Sequence, residues 1–199
     1  MKNYTLEDRA KFYNSSFPKW PPLRADNRWI DGMWIMGNNY QTSGYYGAYP
    51  HTYLKRIISL FPDAENILHL FSGNIPKGNY TRFDIIKEYA DIQGDAHKLS
   101  SYFDNKKFDL ILSDPPYSVE DCEHYGCSMV KRNIVLKECY KILDDNGYIV
   151  WLDQVLPMFR KDELNMCGVI GMVKSTNHRF RVVTIFKKII YQENNENYF

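Results

Sequence analysis

The sequence predicts an α/β domain built on a mostly parallel sheet. Three observations lead there. From about Pro50 onward, apolar runs of strand length alternate with helical stripes. The best of these runs stop at Ser72-Gly73, Asp84, Gly94-Asp95 and Asp114-Pro115, residues that end a strand and turn the chain. The chain closes with two β-rich runs around a polar turn, which reads as an antiparallel hairpin. At 199 residues the chain is long enough to bury one sizeable core and too short for two full domains.

Taken in order, residues 1–45 read as an arm that packs on the core, and 46–199 as the α/β domain. Phe17-Pro18-Lys19-Trp20-Pro21-Pro22 cannot be a helix interior, because three prolines interrupt it. Asp31-Gly32, between Trp29-Ile30 and Met33-Trp34-Ile35, is a hairpin-like signal. Leu54, Ile57, Ile58 and Phe61 fall on one helical face, so a helix is expected over 51–61. Strands follow at Asn66–Phe71, Arg82–Ile85, Asp91–Gly94 and Phe108–Ser113. Val135, Leu136, Cys139, Ile142 and Leu143 form a second helical stripe, with Asn146-Gly147 as its expected left-handed stop. Tyr148–Leu152 is again a strand, and Val169–Lys174 with Phe180–Ile190 make the hairpin around 175–179. The polar residues Gln192–Tyr198 are expected to fray.

Composition removes several function classes. Lys and Arg number 25 against 24 Asp and Glu, so no whole-molecule charge draws the chain to nucleic acid or membrane. No stretch approaches the ~20 apolar residues of a membrane span, and the first residues lack the apolar core of a secretory signal. Four irregularly spaced cysteines do not make a disulfide framework, so a reducing, cytoplasmic setting is expected. Cys122, His124 and Cys127 cluster, but a fourth ligand at zinc spacing is missing, and no metal site is expected.

In an open parallel sheet, ligands sit outside the carboxyl ends of the strands. Phe71-Ser72-Gly73 is one such end, where a glycine lets backbone approach a ligand. Asp84 and Asp95-Ala96 are the next two, with acids placed to accept hydrogen bonds from ribose hydroxyls or an adenine amino group. Asp114-Pro115-Pro116-Tyr117 follows the clearest strand of the chain. Here the sequence resembles the amino-group methyltransferases that use S-adenosylmethionine (SAM), specifically the adenine-specific DNA methyltransferases. The resemblance runs over about Tyr46 to Ile190, through Tyr46-Gly47-Ala48-Tyr49-Pro50, Phe71-Ser72-Gly73, Asp84, Asp95-Ala96 and Asp114–Tyr117.

The resemblance implies a Rossmann-like, seven-stranded doubly wound sheet whose last strand is antiparallel. It implies SAM as cofactor, with Tyr49, Pro50, Phe71, Ser72, Gly73, Asp84, Ile85, Asp95 and Ala96 around it, and Asp114, Pro115, Pro116 and Tyr117 as the catalytic loop. The chemistry explains those residue types. The exocyclic amine of adenine is a poor nucleophile, since its lone pair is delocalised into the ring. The Asp114 carboxylate and the Pro115 carbonyl can each accept one amine N–H and aim the lone pair at the sulfonium methyl. The prolines fix the loop, and the Tyr117 ring offers a face for a base swung out of its stack.

The chain departs from that family's pattern at His69, where many SAM enzymes carry an acid, and at Asn74-Ile75-Pro76, which replaces the second glycine. His69 is expected to be a hydrogen-bonded core histidine, and Gly78 to take over the loop's close approach. The segment between Gly73 and Asp84 is too short for a crossover helix. Without a separate recognition domain, selectivity is expected to be poor or supplied by a specificity subunit. Phosphate contacts are expected from Lys131-Arg132 and His178-Arg179. DNA is the leading substrate, RNA the first alternative, and a non-catalytic SAM-fold subunit that binds nucleic acid the second.

Overall fold

A computed structural model describes residues 1–36, 49–174 and 180–190. In chain order the elements are α1 (Leu6–Ser16), β1 (Arg24–Ala25), β2 (Ile30–Met36), α2 (Tyr53–Leu60), β3 (Ile67–Leu70), β4 (Thr81–Asp84), β5 (Ile92–Gln93), β6 (Phe108–Ser113), α3 (Val119–Tyr125), α4 (Arg132–Ile142), β7 (Leu143–Asp153), β8 (Leu164–Lys174) and β9 (Phe180–Lys188). Two short 3-10 segments, Lys87–Tyr89 and Ala96–Tyr102, stand where longer crossover helices could have been. No described helix is long and apolar enough to cross a membrane.

The described strands form one sheet in the order β1-β2-β8-β9-β7-β6-β3-β4-β5. The pairs β5/β4, β4/β3, β3/β6 and β6/β7 are parallel, and β9 lies antiparallel between β7 and β8. This is the predicted doubly wound sheet with an antiparallel last strand. It has nine strands rather than seven, because the N-terminal segment adds β2 parallel to β8 and β1 antiparallel to β2. β2 covers an edge of β8 that would otherwise present unpaired backbone groups. Glycine makes the fit possible, since a Cβ on Gly168 would lie 2.3 Å from Ile30 Cγ2.

Alternation along the central strands divides the core into two layers. Leu110 and Leu112 of β6, and Tyr148, Val150 and Leu152 of β7, face a cluster that includes Leu6, Ala10 and Tyr13 of α1 and Tyr53, Ile57 and Leu60 of α2. Phe108, Ile111, Ile149 and Trp151 face the other way, toward Ala96, Leu99, Val135, Leu136 and Cys139. Side chains on a strand point alternately to its two faces, so a run apolar at every position belongs between two layers.

Two turn expectations need correction. Asp31-Gly32 is not a turn but lies inside β2, with Asp31 opposite Arg24. The reversal is at Asp26, whose carboxylate accepts the N–H groups of Arg28 and Trp29 at 2.8 Å each. Gly32 is needed for close approach, because a Cβ there would lie 2.5 Å from Leu23 Cδ2. Asn146-Gly147 does not stop α4 in a left-handed conformation either. The helix passes into β7 at Leu143 (φ −79°, ψ 135°), which is fully buried and pairs with Phe108. Burial of Leu143 sets that exit, and the register slips before Tyr148 meets Leu110.

Candidate active site at the carboxyl edge of the sheet

The loop after β3 replaces a helix with hydrogen bonds. Phe71 and Gly73 both take left-handed backbone, with φ of 58° and 52°. At Phe71 that conformation is strained, so surrounding contacts must hold it. Gly73 N–H donates to Asp84 Oδ2 at 2.9 Å, Ile86 N–H donates to Asp84 Oδ1 at 3.0 Å, and Ser72 Oγ–H donates to the Tyr89 carbonyl at 2.9 Å. The backbone carbonyl of Asp84 accepts from Gly94 N–H at 3.0 Å. One buried aspartate thus ties the ends of β3, β4 and β5 together. Each of its carboxylate oxygens keeps a lone pair beyond the bond shown, so it can still accept from a ligand.

Asp95 is bound differently. Its carboxylate accepts from His97 N–H at 2.9 Å and contacts His97 Nδ1 at 2.8 Å, which caps the segment beginning at Ala96. Burial pushes the Asp95 carboxyl up, but the His97 donors outweigh it and hold the group below its ordinary range. His97 Nε2 in turn accepts Lys131 N–H at 3.0 Å, joining this loop to the start of α4. Ile85 is 49% exposed at the end of β4.

The second part of the site hangs on β6. Asp114 is half-buried, and Tyr117 Oη–H donates to Asp114 Oδ1. Tyr117 N–H donates to Asp121 Oδ2 at 3.1 Å, and the Tyr117 carbonyl receives Arg132 Nη2–H at 3.5 Å. Arg132 is itself fixed by Asp153, with contacts of 2.6 and 3.2 Å, and Trp151 Nε1–H adds a bond to the same carboxylate at 3.1 Å. A buried aspartate in β7 therefore orients the loop through an arginine. The guanidinium of Arg181, in β9, lies 4.6 Å from the Tyr117 ring centroid.

Tyrosines fill the space between these parts. Tyr49 stacks on Tyr53 at 5.4 Å and meets His69 edge-on at 5.8 Å. Burial, reinforced by the Asp114 charge, pushes the phenols of Tyr49, Tyr53 and Tyr117 well above their ordinary pKa, and Asp84 acts on Tyr49 as well. Tyr49 thus stands within electrostatic reach of both carboxylates. The hydroxyls of Tyr49 and Tyr53 and the Nδ1 of His69 are buried with no hydrogen-bond partner among the described residues.

The fold thus gathers Tyr49, Phe71–Gly73, Asp84, Asp95 and Asp114–Tyr117 at one edge; Tyr46–Ala48, His178-Arg179, the turn 175–179 and 192–198 lie outside the described residues. His69 is buried as expected, but its Nδ1 has no hydrogen-bond partner among the described residues; it packs against Tyr80 at 4.6 Å, and burial lowers its pKa to about 4. Gly78 makes its close approach to the Tyr80 ring, where a Cβ would lie 2.5 Å away. Arg132 is committed to Asp153 rather than standing free for a phosphate. No group of three or more His, Cys, Asp or Glu that could hold a metal occurs among the described residues. Reading the sequence missed Tyr53, signalled only by its spacing from Tyr49, and the roles of Asp153 and Arg181, which had no local signal.

No protein-family model matches the chain, and no curated protein matches its sequence. Among solved structures it is similar to TrmN from Thermus thermophilus, with a TM-score of 0.50 and 12% identity, over 68% of this chain and 48% of that one. It is also similar to the O-methyltransferase TomG from Streptomyces achromogenes, involved in tomaymycin synthesis and solved with SAM, with a TM-score of 0.46 and 14% identity, over 96% of this chain and 92% of that one. The chain spans about half the length of TrmN. The likeness is one of fold: a Rossmann-like α/β sheet, here extended by two strands.

Proposed function

We propose that this chain is a SAM-dependent methyltransferase that acts on the exocyclic amino group of adenine in DNA. The observation that carries the reading is Asp114-Pro115-Pro116-Tyr117 at the end of β6, with Asp114 bonded to Tyr117 and, like Asp84, within electrostatic reach of Tyr49. These residues suit SAM in chemistry, with a glycine turn, a buried carboxylate with spare lone pairs, and buried polar atoms that lack hydrogen-bond partners among the described residues. Phe71–Gly73 would hold the cofactor by backbone, Asp84 by its ribose hydroxyls, and Asp95-Ala96 with Ile85 around its adenine; Tyr49 and Pro50 would line the side nearest Asp114. The bound cofactor supplies an electrophilic methyl group on sulfur.

The chain's own residues then do three things. Tyr117 offers a stacking surface for the extruded base, worth about 1–3 kcal/mol. Asp114 and the Pro115 carbonyl accept the two amine N–H bonds and orient the lone pair, while Pro116 keeps the loop from relaxing. Arg132 and Asp153 hold the Tyr117 carbonyl in place. A specificity subunit would supply the sequence reading that so small a loop region lacks. Incubation with labelled SAM and separate pools of duplex DNA, single-stranded DNA, RNA and protein tests the reading. Label on adenine in DNA, lost in Asp114→Ala, is the expected result. Label confined to RNA moves the substrate, and label in none of the pools overturns the activity.

A further inference from the structure

We infer that Arg181 selects a substrate that carries a phosphate next to the reacting base, an inference that rests on reading Asp114–Tyr117 as the amine-binding loop. β9 runs opposite to its neighbours, so its first residues emerge where the parallel strands end, with Phe180 opposite Val173 and Val182 opposite Asp153. That places Arg181 at the same edge as Asp114. Its guanidinium lies over the Tyr117 ring at 4.6 Å, a favourable cation–π arrangement.

Three other arginines packed into the fold each hold an acid. Arg9 holds Asp63 at 3.0 Å, Arg82 holds Asp91 at 2.8 Å, and Arg132 holds Asp153 at 2.6 Å. Arg56 lacks one, but it is 1% exposed, bonded to Tyr13 and packed among the rings of Tyr13, Phe17, Trp20 and Trp34. Arg181 is half-open. Among the described residues it pairs with no carboxylate, and its buried Nε has no hydrogen-bond partner. A desolvated donor on a permanent cation is costly unless an acceptor arrives.

The acceptor that fits is a phosphate. A planar guanidinium keeps its N–H bonds in its own plane, and phosphate oxygens take two such bonds side by side. Asp84 and Asp114 disfavour an anion elsewhere in the site, so Arg181 marks where a negative group can enter with the base. A free nucleoside or a protein amide brings no such group.

Calorimetric titration of adenosine and of AMP tests this, with S-adenosylhomocysteine in excess so that the cofactor pocket is filled. Wild-type protein should bind AMP roughly ten- to hundredfold more tightly than adenosine, the range of a charge-assisted hydrogen-bonded pair. Arg181→Ala should bring that ratio to about one, and Arg181→Lys should retain part of it. If the alanine variant fails to fold, Arg181→Gln keeps much of the side chain's bulk and carries the same test. A wild-type ratio near one, or a ratio that survives loss of the charge, overturns the inference. Methyl transfer measured on the same preparations separates the two readings. An Arg181-dependent ratio without methylation of any nucleic acid removes the proposed activity and keeps the phosphate site. Methylation with an Arg181-independent ratio does the reverse.

Discussion

The two halves of the carboxyl edge are built from different bonds. On the β3–β4–β5 side, backbone N–H groups of Gly73, Ile86 and His97 close on Asp84 and Asp95, so the loops are fixed by main-chain geometry. On the β6–β9 side, the loop is held by side chains: Tyr117 on Asp114, Arg132 on the Tyr117 carbonyl, Arg181 on the Tyr117 ring. Under the proposed function, the backbone bonds would suit a site that meets one unchanging cofactor, and the side-chain contacts could be exchanged when a larger substrate enters. The contrast predicts that damage to the first side shows in cofactor affinity, and damage to the second in turnover or in loop order.

The largest effect is expected from Arg132→Ala. Asp153 is 0% exposed and would be left as an unpaired buried charge, so the chain should lose about 3–5 kcal/mol of stability, read from urea denaturation. Next comes His69, in β3 opposite Leu112 of β6. Burial lowers its pKa from 6.5 to about 4, so the folded protein binds fewer protons than the unfolded chain in that window. Its stability is therefore complete above pH 6.5 and falls as pH drops toward 4, by about 3 kcal/mol across the window. Urea midpoints between those pH values should show the slope in wild type and a flatter one in His69→Phe.

Asp84→Ala should act on the first half alone. It leaves Gly73 N–H and Ile86 N–H without acceptors, and should weaken SAM binding by about 1–3 kcal/mol in calorimetry. The smallest effect belongs to Tyr117→Phe, which keeps the stacking ring but removes the hydroxyl that bonds Asp114. Its rate should change by about 1 kcal/mol, the worth of one hydrogen bond, with SAM affinity unmoved.

The parts legible in the sequence were those where local pattern and tertiary role agree. Phe108–Ser113 carries apolar residues at 108 and 110–112 because it is buried on both faces, and Asp114 follows it directly. Gly73 and Asp84 were visible as strand ends, but their mutual hydrogen bond, spanning 11 positions, was not. α1 went unread although Thr5 and Asp8 form a reciprocal capping box, since the prolines after Ser16 drew the arm toward an irregular reading. Asp31-Gly32 and Asn146-Gly147 look like turns by dipeptide alone. In both places the neighbours decided otherwise, Leu23 against Gly32 and the buried Leu143 at the exit of α4. Arg181 could not be found locally, because its partner is Tyr117 in a different strand's loop.

The central claim is that Asp114 acts on the substrate amine and not on the cofactor. The direct measurement is kcat and SAM affinity for wild type and Asp114→Ala side by side, with an adenine-containing DNA duplex as substrate. The claim predicts a rate loss of about a hundred- to a thousandfold, as for removal of one positioned transition-state group, with SAM bound within about threefold of wild type. Turnover equal to wild type, or SAM affinity lost in step with turnover, would contradict it.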